Sequence, residues 1–148
     1  MLCVEMSEFL EPEEVIIISS AKNRNELPYR YKFMKDIPLN NMFDGRFFRA
    51  VAPTAQLIVE PDSKNERELC MSMLKNKNEF FMKRSVNMII NWERDKCSSE
   101  IIHIHGDNDH TIPIKNIKNL SYSVKNGSHM MTLTKGEEIS EIIQTYIE

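Results

Sequence analysis

All four histidines of this chain lie in two short stretches of its C-terminal half. The first stretch is residues 100–113, Glu-Ile-Ile-His-Ile-His-Gly-Asp-Asn-Asp-His-Thr-Ile-Pro, which holds His103, His105 and His110 with Asp107 and Asp109. The second is residues 126–131, Asn-Gly-Ser-His-Met-Met, which holds His129. Imidazole changes charge near neutral pH, so it serves either as a general base or as a metal ligand. A carboxylate beside it either shares the metal or orients the ring and stabilises its protonated form. Two chemistries therefore compete for these residues: metal coordination and acid–base work on a hydroxyl nucleophile.

The metal reading rests on His103, His105 and Asp107, since imidazoles and carboxylates are the usual ligands of zinc and similar ions. The run resembles the His-x-His-x-Asp-His signature of the metallo-β-lactamase family, but Asn108 stands where its last histidine would be. An EF-hand does not fit, because the loop lacks the central glycine and Lys118 occupies the position of the bidentate glutamate. On a strand, His103 and His105 share one face, opposite Ile102 and Ile104. Histidines in that setting are most often hydrogen-bonded core residues.

The acid–base reading uses Asp109 and His129. Ile101, Ile102 and Ile104 form a β-branched apolar run that stops at Gly106 and gives way to a polar loop closed by Pro113. This is a buried strand running into a tight loop, a place where functional side chains are held rigidly. Gly-Asp-Asn-Asp, with a proline shortly after, resembles the loop that carries the triad acid in the α/β-hydrolase family. Leu120, Tyr122 and Val124 alternate with polar residues as a second strand, and Gly127-Ser128-His129 resembles that family's histidine loop. The order acid, then histidine, is the α/β-hydrolase order. The resemblance implies that Asp109 orients His129 and that His129 is the general base for a serine nucleophile acting on an ester or similar small apolar substrate. It calls for no cofactor and no metal.

The elements that must position these loops can be read around them. Leu2, Met6, Phe9 and Leu10 have helical spacing, and Pro12 stops that helix. Val15 to Ile18 is a short, wholly apolar strand of the kind buried on both faces in a parallel sheet. Residues 22–98 read as helices. One opens at Asn25–Pro28 and breaks at Pro38 and Asn40-Asn41. One spans about Arg46 to Val51, restarting through Gln56–Ile58. One is capped by Pro61-Asp62-Ser63 with a stripe of Leu69, Met73 and Leu74, and one covers about Asn78 to Glu93. Thr134 to Tyr146 reads as a final helix with Ile139, Ile142, Ile143 and Tyr146 on one face and a capping-box pattern at Thr134–Glu137. The expected fold class is α/β. By the resemblance it is the C-terminal part of an α/β-hydrolase fold: about three parallel strands with flanking helices. Residues 1–21 and 99–148 would form the partial core, and residues 22–98 a helical cap, or lid. The ten methionines of the chain suit an adaptable apolar lining in such a lid.

The family's Gly-x-Ser-x-Gly nucleophile elbow is absent. The only glycines are Gly45, Gly106, Gly127 and Gly136, and no two flank a serine at that spacing. The 148-residue chain is thus expected to carry acid and base without a nucleophile, to be inactive alone, and to need a complementing half or to self-associate through an uncovered strand edge. Composition excludes several classes. A net charge of −3 gives no general pull towards nucleic acid or anionic membranes. No apolar run approaches the roughly 20 residues of a membrane span, and the N-terminus lacks a signal-peptide pattern. Cys3, Cys70 and Cys97 have no metal-type spacing and read as reduced thiols of a cytoplasmic protein.

Overall fold

Val15 to Ile18 and Ile101 to Ile104 are β-branched runs too short and too apolar to stand alone, and in the fold they lie side by side. The computed structural model describes residues 1–35, 50, 64–75, 78–97 and 100–147. Helix α1 (Leu2–Leu10) leads to strand β1 (Ile16–Ile18). Helices α2 (Tyr29–Phe33), α3 (Lys64–Lys75) and α4 (Glu79–Ile90) follow. Strand β2 (Ile102–Gly106), strand β3 (Tyr122–Val124) and helix α5 (Gly136–Ile147) complete the order. The three strands form one parallel sheet in the order β1-β2-β3, so the protein is of mixed α/β class.

Register is set by the pleat. Ile16, Ile17 and Ile18 pair with Ile102, His103 and Ile104, and Ile104, His105 and Gly106 pair with Tyr122, Ser123 and Val124. Backbone bonds continue the ladder past the strand ends: Ile102 N–H to Val15 C=O, Ser19 N–H to Ile104 C=O, and Asp107 N–H to Val124 C=O. One face of the sheet presents Ile104 and Val124 to Met131, Ile139 and Ile142 of the C-terminal segment, with Ile16, Ile18 and Ile102 packed around them. The helical spacing of Ile139 and Ile142 thus buries the inner stripe of α5. The first intrahelical bond, Ile139 N–H to Lys135 C=O, starts this helix one residue later than the Thr134 pattern suggests.

On the other face Ile17 packs with Val15 and with Val4 of α1. Glu5 and Glu8, one turn apart on α1, are both held by Arg94, whose guanidinium takes Glu5 at 2.7 and 3.0 Å and Glu8 at 2.9 Å. α1 ends at Glu11 in a left-handed conformation (φ 46°), one residue before Pro12. A second clasp joins the segment after β1 to the one before β3. The Glu26 carboxylate, 1% exposed, accepts from Lys22 N–H (2.7 Å) and Lys118 N–H (3.1 Å), and the Lys22 ammonium donates to the carbonyls of Lys118 and Asn119. A carboxylate this buried is tolerated because both oxygens carry donors.

The chain divides into two compact units, Met1–Glu26 with Arg94–Glu148, and Leu27–Glu93. In the second, α2 packs on α4, Asn78 caps α4 by accepting from Phe80 N–H (2.8 Å), and Lys35 pairs with Glu93. α3 forms at the expected place, but Leu69 and Met73 of its expected stripe are 44% and 48% exposed. The expected breaks at Pro38 and Asn40-Asn41, the helix near Arg46–Val51 with its restart, and the Pro61–Ser63 cap lie outside the described residues. Among the described residues no helix is long and apolar enough to cross a membrane.

Candidate functional site

In a parallel sheet the C-terminal ends of neighbouring strands open on the same edge, and the loops that leave them meet there. The loop after β2 carries Asp109 and the loop after β3 carries His129. His129 Nδ1 lies 2.9 Å from Asp109 Oδ2. Asp109 is 2% exposed, while the His129 side chain is about one-third exposed. The two residues singled out from sequence are therefore in direct contact.

Local backbone chemistry explains the meeting. After β2 the chain turns tightly, with Asp109 N–H donating to Gly106 C=O, and Asp109 Oδ1 then accepts from Ile112 N–H at 2.7 Å. That turn ties the carboxylate to its own loop. After β3, Asn126 adopts a left-handed conformation (φ 55°), which asparagine tolerates better than most residues. Its N–H donates to Asp107 Oδ1 (2.6 Å), and Asn108 N–H donates to Gly127 C=O (3.1 Å). The two loops thus hold each other by backbone contacts. Gly106 and Gly127 permit this approach: a Cβ on Gly106 would lie 2.1 Å from the Gly127 carbonyl oxygen. The sulfur of the buried Met131 also lies against Gly127, where a Cβ would meet it at 2.7 Å.

His103 and His105 stand behind the carboxylate on one face of β2, both fully buried. Their rings meet edge to face with centroids 5.1 Å apart. His103 Nε2 is 3.2 Å from His105 Nδ1, and His105 Nε2 lies 2.8 Å from Ile112 C=O and 3.2 Å from Asp109 Oδ2. Burial alone would push the Asp109 carboxyl up. Hydrogen bonds from His105 and His129, the His129 charge and the Ile112 amide outweigh it and hold the group well below the usual carboxylate range. Burial, then the neighbouring His105 and the Lys22 charge, push His103 down to about 3, so it is neutral at physiological pH.

A buried, ionised carboxylate against Nδ1 makes that nitrogen the donor. The neutral ring then carries its lone pair on Nε2, from which it can take a proton. The metal alternative finds a different geometry. Asp107 is exposed and its Oδ1 is engaged by Asn126, whereas His103 and His105 are buried and bonded to each other. Among the described residues no group of three or more His, Cys, Asp or Glu is arranged to hold a metal ion. His110 is exposed and contacts Asn108 Oδ1 at 3.1 Å.

Sequence reasoning did not reach the second partner of Asp109. The alternation His103-Ile104-His105 shows that the histidines share a face, but not that His105 reaches the carboxylate three residues beyond Gly106. It also gave no sign of Arg94 on Glu5 and Glu8 or of Lys118 on Glu26, contacts between residues distant in sequence. A cavity of about 520 Å³ beside the Glu26 clasp, lined by Lys22, Glu26, Cys97 and Lys118 among others, does not include Asp109 or His129. Compared with known proteins, the chain matches no protein-family model, and no curated protein is significantly similar to it.

Proposed function

We propose that this chain supplies the acid and the base of a serine-hydrolase-type triad, in an architecture of the α/β-hydrolase kind, acting on an ester or similar small apolar substrate. The observation that carries the proposal is the 2.9 Å contact between His129 Nδ1 and the buried Asp109 carboxylate, made by loops that leave adjacent parallel strands at the same edge. Asp109 fixes the tautomer and stabilises the imidazolium. His129 Nε2 accepts the proton of a serine hydroxyl, which is a weak nucleophile without such a base. The sequence contains no Gly-x-Ser-x-Gly elbow, so the serine belongs to another segment or chain that completes the sheet. The 148 residues alone then have no triad turnover, because loss of a nucleophile removes nearly all of it.

Fluorophosphonate labelling with intact-mass readout tests this, on the purified chain alone and after mixing with cell extract. The chain itself is expected to take no label in either case. A serine elsewhere, labelled only in the mixture and no longer labelled with His129→Ala, would identify the completing half. Stoichiometric labelling of a serine within this chain would refute the proposal.

A further inference from the structure

The Asp109–His129 pair uses one carboxylate oxygen, and that oxygen has a second imidazole on it. His105 Nε2 sits 3.2 Å from Asp109 Oδ2, the atom that faces His129 Nδ1 at 2.9 Å. His105 is fully buried, and its Nε2 also faces Ile112 C=O at 2.8 Å. Both neighbours are acceptors, so Nε2 must carry the proton and share it between them. A neutral His105 then has its lone pair on Nδ1. His103 Nε2, 3.2 Å away, must donate to that lone pair. Its remaining nitrogen, Nδ1, makes no hydrogen bond of full geometry among the described residues, and the Ser20 backbone bears on the ring, so the direction of this bond follows from His105 alone. The opposite direction, with His105 protonated on Nδ1, would press an unprotonated Nε2 against two oxygens in a buried site. The direction of every bond in the row His103, His105, Asp109, His129 is thus determined from its carboxylate end.

We propose that His105 is a positioning residue of the Asp109–His129 pair: its Nε2–H holds the carboxylate oxygen in line with His129, and His103 locks His105 in the tautomer that can do so. This deepens the triad reading and rests on it. Without His105, Ile112 N–H still ties Oδ1, but among these contacts Oδ2 is left with His129 alone, and the carboxylate can turn about its Cβ–Cγ bond. The other titratable and charged groups nearby are Lys22, which acts on His103, and Asp107 and His110, which are exposed on the acid loop. None of them supplies the missing donor.

The test is the histidine ¹⁵N spectrum of the full chain at neutral pH, in which the two tautomers of each ring are distinguished. With only four histidines, each is assigned by single substitution. The wild-type chain is expected to show His103 and His105 protonated on Nε2 and His129 protonated on Nδ1. In His105→Leu the His129 Nδ1 proton should exchange with solvent about tenfold faster or more, the scale of losing a hydrogen bond to a charged group. In His105→Gln, whose amide returns an N–H near the Nε2 position, exchange should stay within about twofold of wild type, a rescue that packing alone would not produce. If His105 is unprotonated on Nε2, the proposal is overturned on the wild-type chain, whether or not the variants fold. Equal exchange in His105→Leu and wild type would overturn it as well. Failure of the triad reading looks different: His129 would be protonated on Nε2, whatever His105 does.

Discussion

Gly106→Ala is the sharpest perturbation of the site, because it adds one methyl group where two loop backbones touch. The new Cβ would meet Gly127 O at 2.1 Å and Gly127 C at 2.4 Å. Ordinary contact begins near 3.4 Å, and backbone atoms cannot swing aside as a side chain can. The loops after β2 and β3 must therefore separate by roughly 1 Å or more. A retreat of that size stretches the Asn108 N–H to Gly127 C=O bond from 3.1 Å and the His129–Asp109 contact from 2.9 Å to about 4 Å, beyond hydrogen-bond range. Overpacking costs about 1–3 kcal/mol, and a lost hydrogen bond adds about 1 kcal/mol. Together these predict destabilisation by about 3 kcal/mol, read by urea unfolding as a midpoint lower by about 1–3 M at the usual slopes for small proteins. The same sample should lose the Nδ1–H tautomer of His129. Gly136→Ala is the control: a Cβ there meets nothing within 4 Å, its φ is not positive, and the substitution should be neutral or slightly stabilising. If Gly106→Ala unfolds within about 0.5 kcal/mol of wild type with the His129–Asp109 bond intact, the close approach of the two loops is not what builds the site.

Three further outcomes follow from the structure. His103 is neutral in the fold with its pKa depressed to about 3, against roughly 6.5 when unfolded. The unfolded state therefore binds the extra proton first as pH falls. The His103 contribution is intact above about pH 6.5 and is lost between about 6.5 and 3, at up to about 1.4 kcal/mol per pH unit. His103→Gln should flatten that limb of a stability–pH profile, and an unchanged slope would contradict the buried neutral ring. Ile142→Ala, which empties a buried position between α5 and the sheet, should cost about 2–5 kcal/mol by chemical denaturation; a loss under about 1 kcal/mol would mean α5 is not docked through that stripe. β1 is an edge of the sheet formed by the described residues, and α1 nearby exposes Leu2, Phe9 and Leu10. Concentration-dependent association is expected in sedimentation velocity, whereas a monodisperse monomer at high concentration would show that edge to be protected.

What the sequence by itself determined was local in origin. β-branched runs without polar interruption could only be buried strands, and two of them pair in the sheet as β1 and β2. Ile139 and Ile142, three residues apart, could only face one side of a helix, and that side lies on the core. Asp109 and His129 were legible because each sits a few residues past a strand end, two or three after a glycine, and parallel pairing carries both to one edge. On α3 the expected stripe leaves Leu69 and Met73 exposed, since periodicity shows which residues share a face but not whether anything covers it. Only the tertiary structure decided the rest. Arg94 on Glu5 and Glu8, and Glu26 on Lys118, join residues far apart in sequence by long side chains, for which no spacing rule exists. The need for glycine at both 106 and 127 arises from the contact between two backbones, which neither stretch contains alone. The same holds for His105. Its place on the strand was plain from alternation, but its hold on Asp109 depends on how the loop folds back after Gly106, and only three dimensions bring both imidazoles to one oxygen.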